Sequence, residues 1–129
     1  MNQNKCLYLI QSAEGLPEIY QDFKNKKEYV LLNYKDKTQD TDLFLPNSTW
    51  TTGRNALRDY ALKLDQEYDY YIFLDEDIVF TNGNTFDDFE LLLNKYKPNI
   101  GNPTVHKYGH EKFNPPIDVK LNNRSVLFY

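Results

Sequence analysis

Short apolar runs alternate along the chain with segments of helical periodicity. The runs at residues 5–11, 29–34 and 70–74 are rich in aliphatic and aromatic residues, which is typical of buried strands. In residues 51–68 the apolar positions recur at the spacing of one helix face, and this predicts a helix that packs against a sheet. A shorter helix is predicted over residues 17–26, where a proline suits the first helical turn.

The second half of the chain continues the alternation. Thr85, followed by two aspartates, is a good helix start, and Pro98 is a helix stop, so a helix is predicted between them. A fourth strand is predicted over residues 99–105, residues 117–121 and 125–129 are candidates for further strands, and a polar loop is predicted over residues 35–47. Strands that alternate with helices in this way predict an α/β fold, with a mostly parallel sheet of about four to five strands flanked by helices.

Composition limits the classes of function. The 129 residues are 40% hydrophobic, which is enough for one compact domain over residues 1–129. The net charge of −4, without a stripe of lysine and arginine, argues against nucleic-acid binding. The sequence shows neither a signal peptide nor an apolar run of membrane-spanning length, and this favours a cytoplasmic location. The single cysteine, Cys6, lies in an apolar run and is predicted to be a small buried hydrophobic residue.

Three consecutive carboxylates, Asp75, Glu76 and Asp77, follow the apolar run at residues 70–74. Because an unpaired buried carboxylate is costly, we expect them at the carboxyl edge of the sheet, where open α/β folds bind their ligands. If the backbone stays extended, Asp75 and Asp77 point to the same side and offer two oxygen donors to a hard divalent cation. The pattern therefore predicts a site for a cation and, through it, for phosphate. An acidic turn in water is the alternative.

A second motif lies upstream, where residues 51–55 read Thr-Thr-Gly-Arg-Asn and open the long predicted helix. Together with Asp75-Glu76-Asp77, which matches the "DXD" motif after a hydrophobic strand, this segment resembles the nucleotide-binding half of GT-A-fold glycosyltransferases. The resemblance covers residues 5–105. It implies a GT-A-like (Rossmann-like) fold and metal-dependent transfer of a sugar from a nucleotide-diphosphate donor to an acceptor.

The resemblance also implies roles for single residues. Asp77 matches the family's ligand for Mn²⁺ or Mg²⁺, and Asp75 matches the aspartate that contacts the ribose or the donor sugar, in some members through the metal. Arg54 would face the diphosphate or brace the carboxylates of the motif, and Asn55 belongs to the segment beside the donor site. Ser12 follows the first strand, where this fold contacts the nucleotide base. The catalytic residues stay unassigned.

The residues themselves leave alternatives open at several of these positions. Arg54 is also placed to form a surface salt bridge with Asp59 or Asp65, and Ser12 suits an ordinary loop. Trp50, beside the helix start, is suited either to stack on a base or sugar or to pack within the fold.

The length of the chain sets a further alternative. GT-A enzymes are typically much longer than this sequence, and the half that supplies their acceptor site has no counterpart in it. A non-catalytic nucleotide-binding fragment, or a subunit that needs a partner chain or an oligomer, is therefore the alternative function. A haloacid-dehalogenase-like phosphohydrolase is a lesser alternative. In that family Asp-X-Asp follows the first strand, whereas here it follows the third predicted strand.

Overall fold

The computed structural model describes residues 5–78, 85–101 and 124–127. Its strands are β1 (Cys6–Glu14), β2 (Tyr29–Asp36), β3 (Leu43–Phe44), β4 (Tyr70–Asp75), β5 (Ile100–Gly101) and β6 (Arg124–Leu127), and its helices are α1 (Phe23–Lys26), α2 (Trp50–Leu62) and α3 (Thr85–Tyr96). A 3₁₀ turn, Glu18–Tyr20, precedes α1. The candidate strand at residues 117–121 lies outside the described ranges. None of the described helices is long and apolar enough to span a membrane.

The described strands form one sheet in the order β3-β2-β1-β4-β6-β5, and every neighbouring pair is parallel. This confirms the predicted α/β fold with a parallel sheet flanked by helices. The described part of the sheet has six strands rather than four to five, because the two-residue strands β3 and β5 form its edges. β3 lies in the segment predicted as a loop, since two residues are too few to show an alternating pattern.

Apolar side chains cover both faces of the sheet. On β1, Tyr8 and Ile10 belong to the core on one face, and Leu7 and Leu9 belong to the core on the other, as the two-residue period of a strand requires. Side chains of α1 and α3 complete the first core, and side chains of α2 complete the second. Burial on both faces explains why the strands read as continuous apolar runs.

Two helix predictions need correction. Residues 17–26 form the 3₁₀ turn and the single turn α1 instead of one helix, and Tyr20 and Phe23 reach the core from these two turns. α2 ends well before Tyr68. The Tyr68 ring packs edge-on against Tyr71 from the connection into β4, and its helical spacing in the sequence is a coincidence.

The connections between strands place a reversal of strand order next to β1. From β1 the chain proceeds to β2 and β3 on one side, and it then crosses to β4 on the other side of β1. Open α/β sheets bind ligands at such a reversal of strand order, outside the carboxyl ends of the strands. Here the reversal lies between Gln11 of β1 and Asp75 of β4, which are partners in the register.

Candidate functional site

Asp75, the last residue of β4, lies at this reversal. Its Oδ1 accepts a hydrogen bond from Arg54 Nη2 at 3.0 Å, and its Oδ2 accepts one from Trp50 Nε1 at 3.3 Å. The Tyr20 hydroxyl donates to its main-chain oxygen at 2.5 Å. Both carboxylate oxygens therefore have protein partners, and the side chain is only 16% exposed.

Arg54 reaches Asp75 because the first turn of α2 lies close against β1. A Cβ atom at Gly53 would come within 2.2 Å of Gln11 Nε2, so any larger residue would have to displace the Gln11 side chain. Gln11 Nε2 donates to the Thr49 carbonyl at 3.2 Å and ties the helix start to the strand. The glycine before Arg54 thus permits the approach that brings the arginine over β4.

Burial dominates the electrostatics of the Arg54–Asp75 pair. Burial raises the pKa of Asp75 above its ordinary value, although the positive charge of Arg54 acts to lower it. Burial also lowers the pKa of Arg54, although the negative charge of Asp75 acts to raise it. The guanidinium lies over the rings of Trp50 and Phe73, with its Cζ atom 4.2 and 5.2 Å from their centroids. Two charges this deeply buried depend on each other, since removal of one leaves the other without compensation.

Glu76 ties the turn after β4 to the two neighbouring strands. Its Oε2 accepts a hydrogen bond from the Ala13 amide at 2.8 Å, and its Oε1 accepts one from the Tyr34 hydroxyl. The hydrogen bond to Glu76, together with partial burial, raises the pKa of Tyr34 to about 12. Glu76 is therefore a bridging carboxylate between the carboxyl ends of β1, β2 and β4.

Asp77 differs from the two carboxylates before it. It is exposed, and its carboxylate forms no hydrogen bond or ion pair with any residue of the described ranges. The chain turns at Glu76 and Asp77, so the extended backbone that would align Asp75 with Asp77 ends at Asp75. The two aspartates are neighbours at one edge, but alternation along a strand does not place them on the same side.

Ser12 is occupied by a buried polar network. It is 1% exposed, its hydroxyl donates to the Gly15 carbonyl at 2.6 Å, and it accepts from Asn33 Nδ2 at 2.8 Å. Asn33 Oδ1 accepts in turn from the Thr41 hydroxyl at 2.5 Å. β1 extends to Glu14, so Ser12 lies within the strand and not after it as predicted, and its side chain holds the loop after β1 in shape.

The remaining predicted residues lie on α2. Arg54 pairs with Asp75, and it is Arg58 that contacts Asp59, at 3.2 Å, so the surface salt bridge considered for Arg54 is not formed. The Asn55 side chain is exposed and forms no hydrogen bond with the described residues. The structure therefore brings Arg54 and Asp75 together and leaves Asn55 on the helix surface.

Three residues of this edge, Gln11, Asn33 and Tyr34, were not predicted as site residues. Each is a polar or phenolic residue near the end of a buried strand, Gln11 on β1 and the other two on β2. The reasoning that places Asp75 at the carboxyl edge applies to them equally, so the signal is present in the sequence.

The carboxylates limit how a metal ion would be held. Residues 5–78 and 85–101 contain no group of three or more His, Cys, Asp and Glu side chains that could hold a metal ion. Asp77 offers a free carboxylate, whereas Asp75 already has a partner at each oxygen. This donor set fits a Mg²⁺ or Mn²⁺ ion that arrives with phosphate ligands, since Mg²⁺ is usually bound by one or two carboxylates, water and substrate phosphates.

Comparisons of this sequence with protein-family models, with curated proteins and with solved structures yielded no match. The function proposed below therefore rests on the residues and geometry of the site and on the resemblance of its motifs to those of GT-A glycosyltransferases.

Proposed function

We propose that this chain binds a nucleotide-diphosphate sugar together with Mg²⁺ or Mn²⁺ at the carboxyl ends of β1 and β4, and that it serves a glycosyl-transfer reaction. The observation that supports this most is the contrast among three adjacent carboxylates. Asp75 and Glu76 are held by protein groups, whereas Asp77 is exposed beside them without a partner in the described residues. A cation is thus offered one free carboxylate on a turn that is held in place.

The diphosphate would supply the ligands that the protein lacks. Asp77 would hold the cation, and Asp75 is the neighbouring aspartate that in GT-A enzymes contacts the ribose or the donor sugar. When bound, the cation would stabilise the negative charge that develops on the leaving diphosphate as the anomeric C–O bond breaks.

Arg54 and Glu76 would preserve the geometry of the site without binding the cation. The Arg54 guanidinium neutralises Asp75, so that the edge repels a diphosphate less than three free carboxylates would. Glu76 links the turn to Ala13, so that the loops after β1 and β4 are held together. A site braced in this way needs little reorganisation when a ligand arrives.

Calorimetric titration with UDP and GDP, each in Mn²⁺ and in EDTA, tests the proposal. We expect binding in Mn²⁺ alone, and Asp77→Asn should weaken it by about 10- to 100-fold, since loss of even an outer-shell partner costs a metal site that much. Asp65→Asn is the matched control, because it removes the same charge from an exposed turn between α2 and β4. Absence of Mn²⁺-dependent binding, or an equal loss in both variants, would contradict the proposal.

The same site also supports a second function, nucleotide-sugar binding without turnover. If Asp77 holds the cation, none of the three carboxylates remains free as a general base, because Asp75 and Glu76 already have protein partners. Release of UDP or GDP from nucleotide sugars by the isolated chain would establish an enzyme. Binding without release would favour a subunit that needs a partner chain.

The geometry offers little support for a phosphohydrolase. Its first aspartate would have to attack phosphorus, yet both oxygens of Asp75 are engaged by Arg54 and Trp50. A generic phosphoester should therefore not be hydrolysed, and rapid hydrolysis would require that this function be reconsidered.

A further inference from the structure

Trp50 is the only tryptophan of the chain, and the structure holds its indole ring in one orientation. The ring nitrogen donates to Asp75 Oδ2 at 3.3 Å. One face of the ring carries the Arg54 guanidinium, whose Cζ atom lies 4.2 Å from the centroid. Since Arg54 is itself bound to Asp75 at 3.0 Å, the three side chains form a closed set of contacts.

Trp50 as a whole residue is nevertheless 42% exposed. Its nitrogen edge and one face are occupied, and no aromatic or cationic side chain of the described residues lies on the opposite face. Exposed apolar side chains are common on proteins, but this one is held by both a hydrogen bond and a stacked cation. A flat surface that is rigid before binding costs little entropy to use. Trp50 therefore offers a preorganised flat surface next to the carboxylates at the carboxyl edge of the sheet.

The Arg54 guanidinium covers the inner face of the Trp50 ring, and it influences which kind of group can stack on the opposite, outer face. The guanidinium draws the electron density of the indole toward itself, so the outer face is less negative than that of an isolated indole. Contacts with the C–H groups of a sugar gain part of their energy from a negative face, and this part is reduced. Offset stacking with another aromatic ring is less affected, and every nucleobase has a flat face that can stack in this way.

We propose that the outer face of Trp50 stacks on the base of the nucleotide bound at the carboxyl edge. This inference rests on the proposed function, because it places the base of that same nucleotide. It also assigns base binding to the start of α2 rather than to Ser12, whose side chain is buried in its own network.

The test uses two variants of the full chain, Trp50→Phe and Trp50→Leu. Both remove the hydrogen bond to Asp75, but only the leucine variant removes the flat ring. Each is titrated calorimetrically in Mn²⁺ with UDP, GDP, a nucleotide sugar of each and pyrophosphate, and thermal unfolding verifies that it is folded. We expect the leucine variant to bind the nucleotides roughly 5- to 150-fold more weakly than the phenylalanine variant, the range expected for loss of one base–aromatic stack. Pyrophosphate should bind both variants equally.

Fluorescence gives an independent readout in the unmodified protein, because all tryptophan emission comes from Trp50. UDP or GDP in Mn²⁺ should quench or shift this emission, and pyrophosphate should change it much less.

The outcomes separate this inference from the proposed function. If the nucleotides bind but the two variants have equal affinity, the stacking role is wrong and the proposed function stands. If only nucleotide sugars, and not UDP or GDP, distinguish the variants, the ring binds the sugar and the base assignment is overturned. If neither nucleotides nor pyrophosphate bind the unmodified chain, both proposals fail.

Discussion

At the amino edge of the sheet, Lys27 lies between two carboxylates of α3. Its Nζ atom is 2.9 Å from Asp87 Oδ1 and 2.6 Å from Glu90 Oε2, and the Tyr8 hydroxyl also donates to Glu90. A cavity of about 740 Å³ opens beside these residues. Although a ligand would find room there, the cation and the two carboxylates of this group already satisfy one another.

At the carboxyl edge the balance is different. Arg54 and Asp75 form a more deeply buried pair, with side chains 2% and 16% exposed. Beside this pair, Asp77 lacks a partner in the described residues and the Trp50 ring is partly open to solvent. Both edges have charges that are at least partly buried, so charge alone does not identify a binding site. The difference is that the carboxyl edge has groups without a partner in the described residues, whereas the charges of the Lys27 group attach α3 to β1 and to the end of α1.

The largest effect should follow replacement of Arg54, whose guanidinium is the positive charge of the buried pair at the carboxyl edge. Arg54→Met leaves Asp75 buried without its counter-charge, and we expect the free energy of unfolding to fall by about 3–5 kcal/mol. Urea denaturation measures this loss. Arg58→Met is the control on the same helix, because its pair with Asp59 is largely exposed and should matter by about 0.5 kcal/mol or less.

A double variant sharpens this prediction. Arg54→Met combined with Asp75→Asn should be less destabilised than the sum of the two single variants, because each single variant strands the other charge. Additive losses would contradict the interpretation that the two residues depend on each other.

A smaller effect is expected at the amino edge. Lys27→Met leaves Glu90 with its bond from Tyr8 and frees the mostly exposed Asp87, so the loss in unfolding free energy should be about 1–2 kcal/mol. Lys26→Met, at an exposed neighbouring position, is the control. Neither variant should change Mn²⁺-dependent affinity for UDP or GDP. A loss of affinity in Lys27→Met would show that this edge takes part in binding.

The bridging role of Glu76 predicts a change in the titration of one tyrosine. In Glu76→Gln the pKa of Tyr34 should fall from about 12 toward the ordinary tyrosine value of about 10. The reason is that the negative carboxylate, which accepts the hydrogen bond of the neutral Tyr34 hydroxyl, is no longer present. Carbon-13 NMR of labelled tyrosine rings measures it. Glu14→Gln removes an exposed carboxylate at the end of β1 and should leave Tyr34 unchanged. A Tyr34 pKa that stays high in Glu76→Gln would contradict the contact.

The smallest expected effect is a loss of folding stability at acidic pH through Asp87. The hydrogen bond from Lys27 lowers the pKa of Asp87, so the unfolded state binds more protons than the folded state as the pH falls. The stabilisation by Asp87 is therefore complete above its ordinary pKa of about 4, and it is lost as the pH falls through the lowered value. Because Asp87 is largely exposed, the change should be below about 1 kcal/mol. Stability should depend less on pH across this range in Asp87→Asn, and an unchanged dependence would exclude the effect.

The sequence predicted the features that depend on apolar pattern. β4 begins at the predicted residue and ends one residue later, at Asp75, and α3 begins at Thr85 as its capping residues indicated. β3 escaped prediction because it is held by pairing with β2 rather than by its own two residues. The 3₁₀ turn and α1 escaped because the buried Tyr20 and Phe23 have the same spacing that one continuous helix would give.

For the candidate site, the sequence predicted the place better than the roles. The carboxylates after an apolar run marked the edge, and the Gly-Arg pair opening α2 marked the helix that approaches it. Which carboxylate keeps a free side chain depends on long-range contacts, such as that between Glu76 and Ala13, and these have no local pattern. The same holds for Ser12, whose burial follows from Asn33 on the neighbouring strand.

Paramagnetic broadening of amide NMR signals by Mn²⁺, recorded with and without UDP or GDP, would test the contrast between the two edges most directly. With nucleotide present, signals of Ala13, Asp75 and Asp77 should broaden at the lowest Mn²⁺ concentration, while those of Lys27 and Glu90 persist. Broadening centred on the Lys27 group, or none that depends on nucleotide, would contradict the assignment of the carboxyl edge as the nucleotide site.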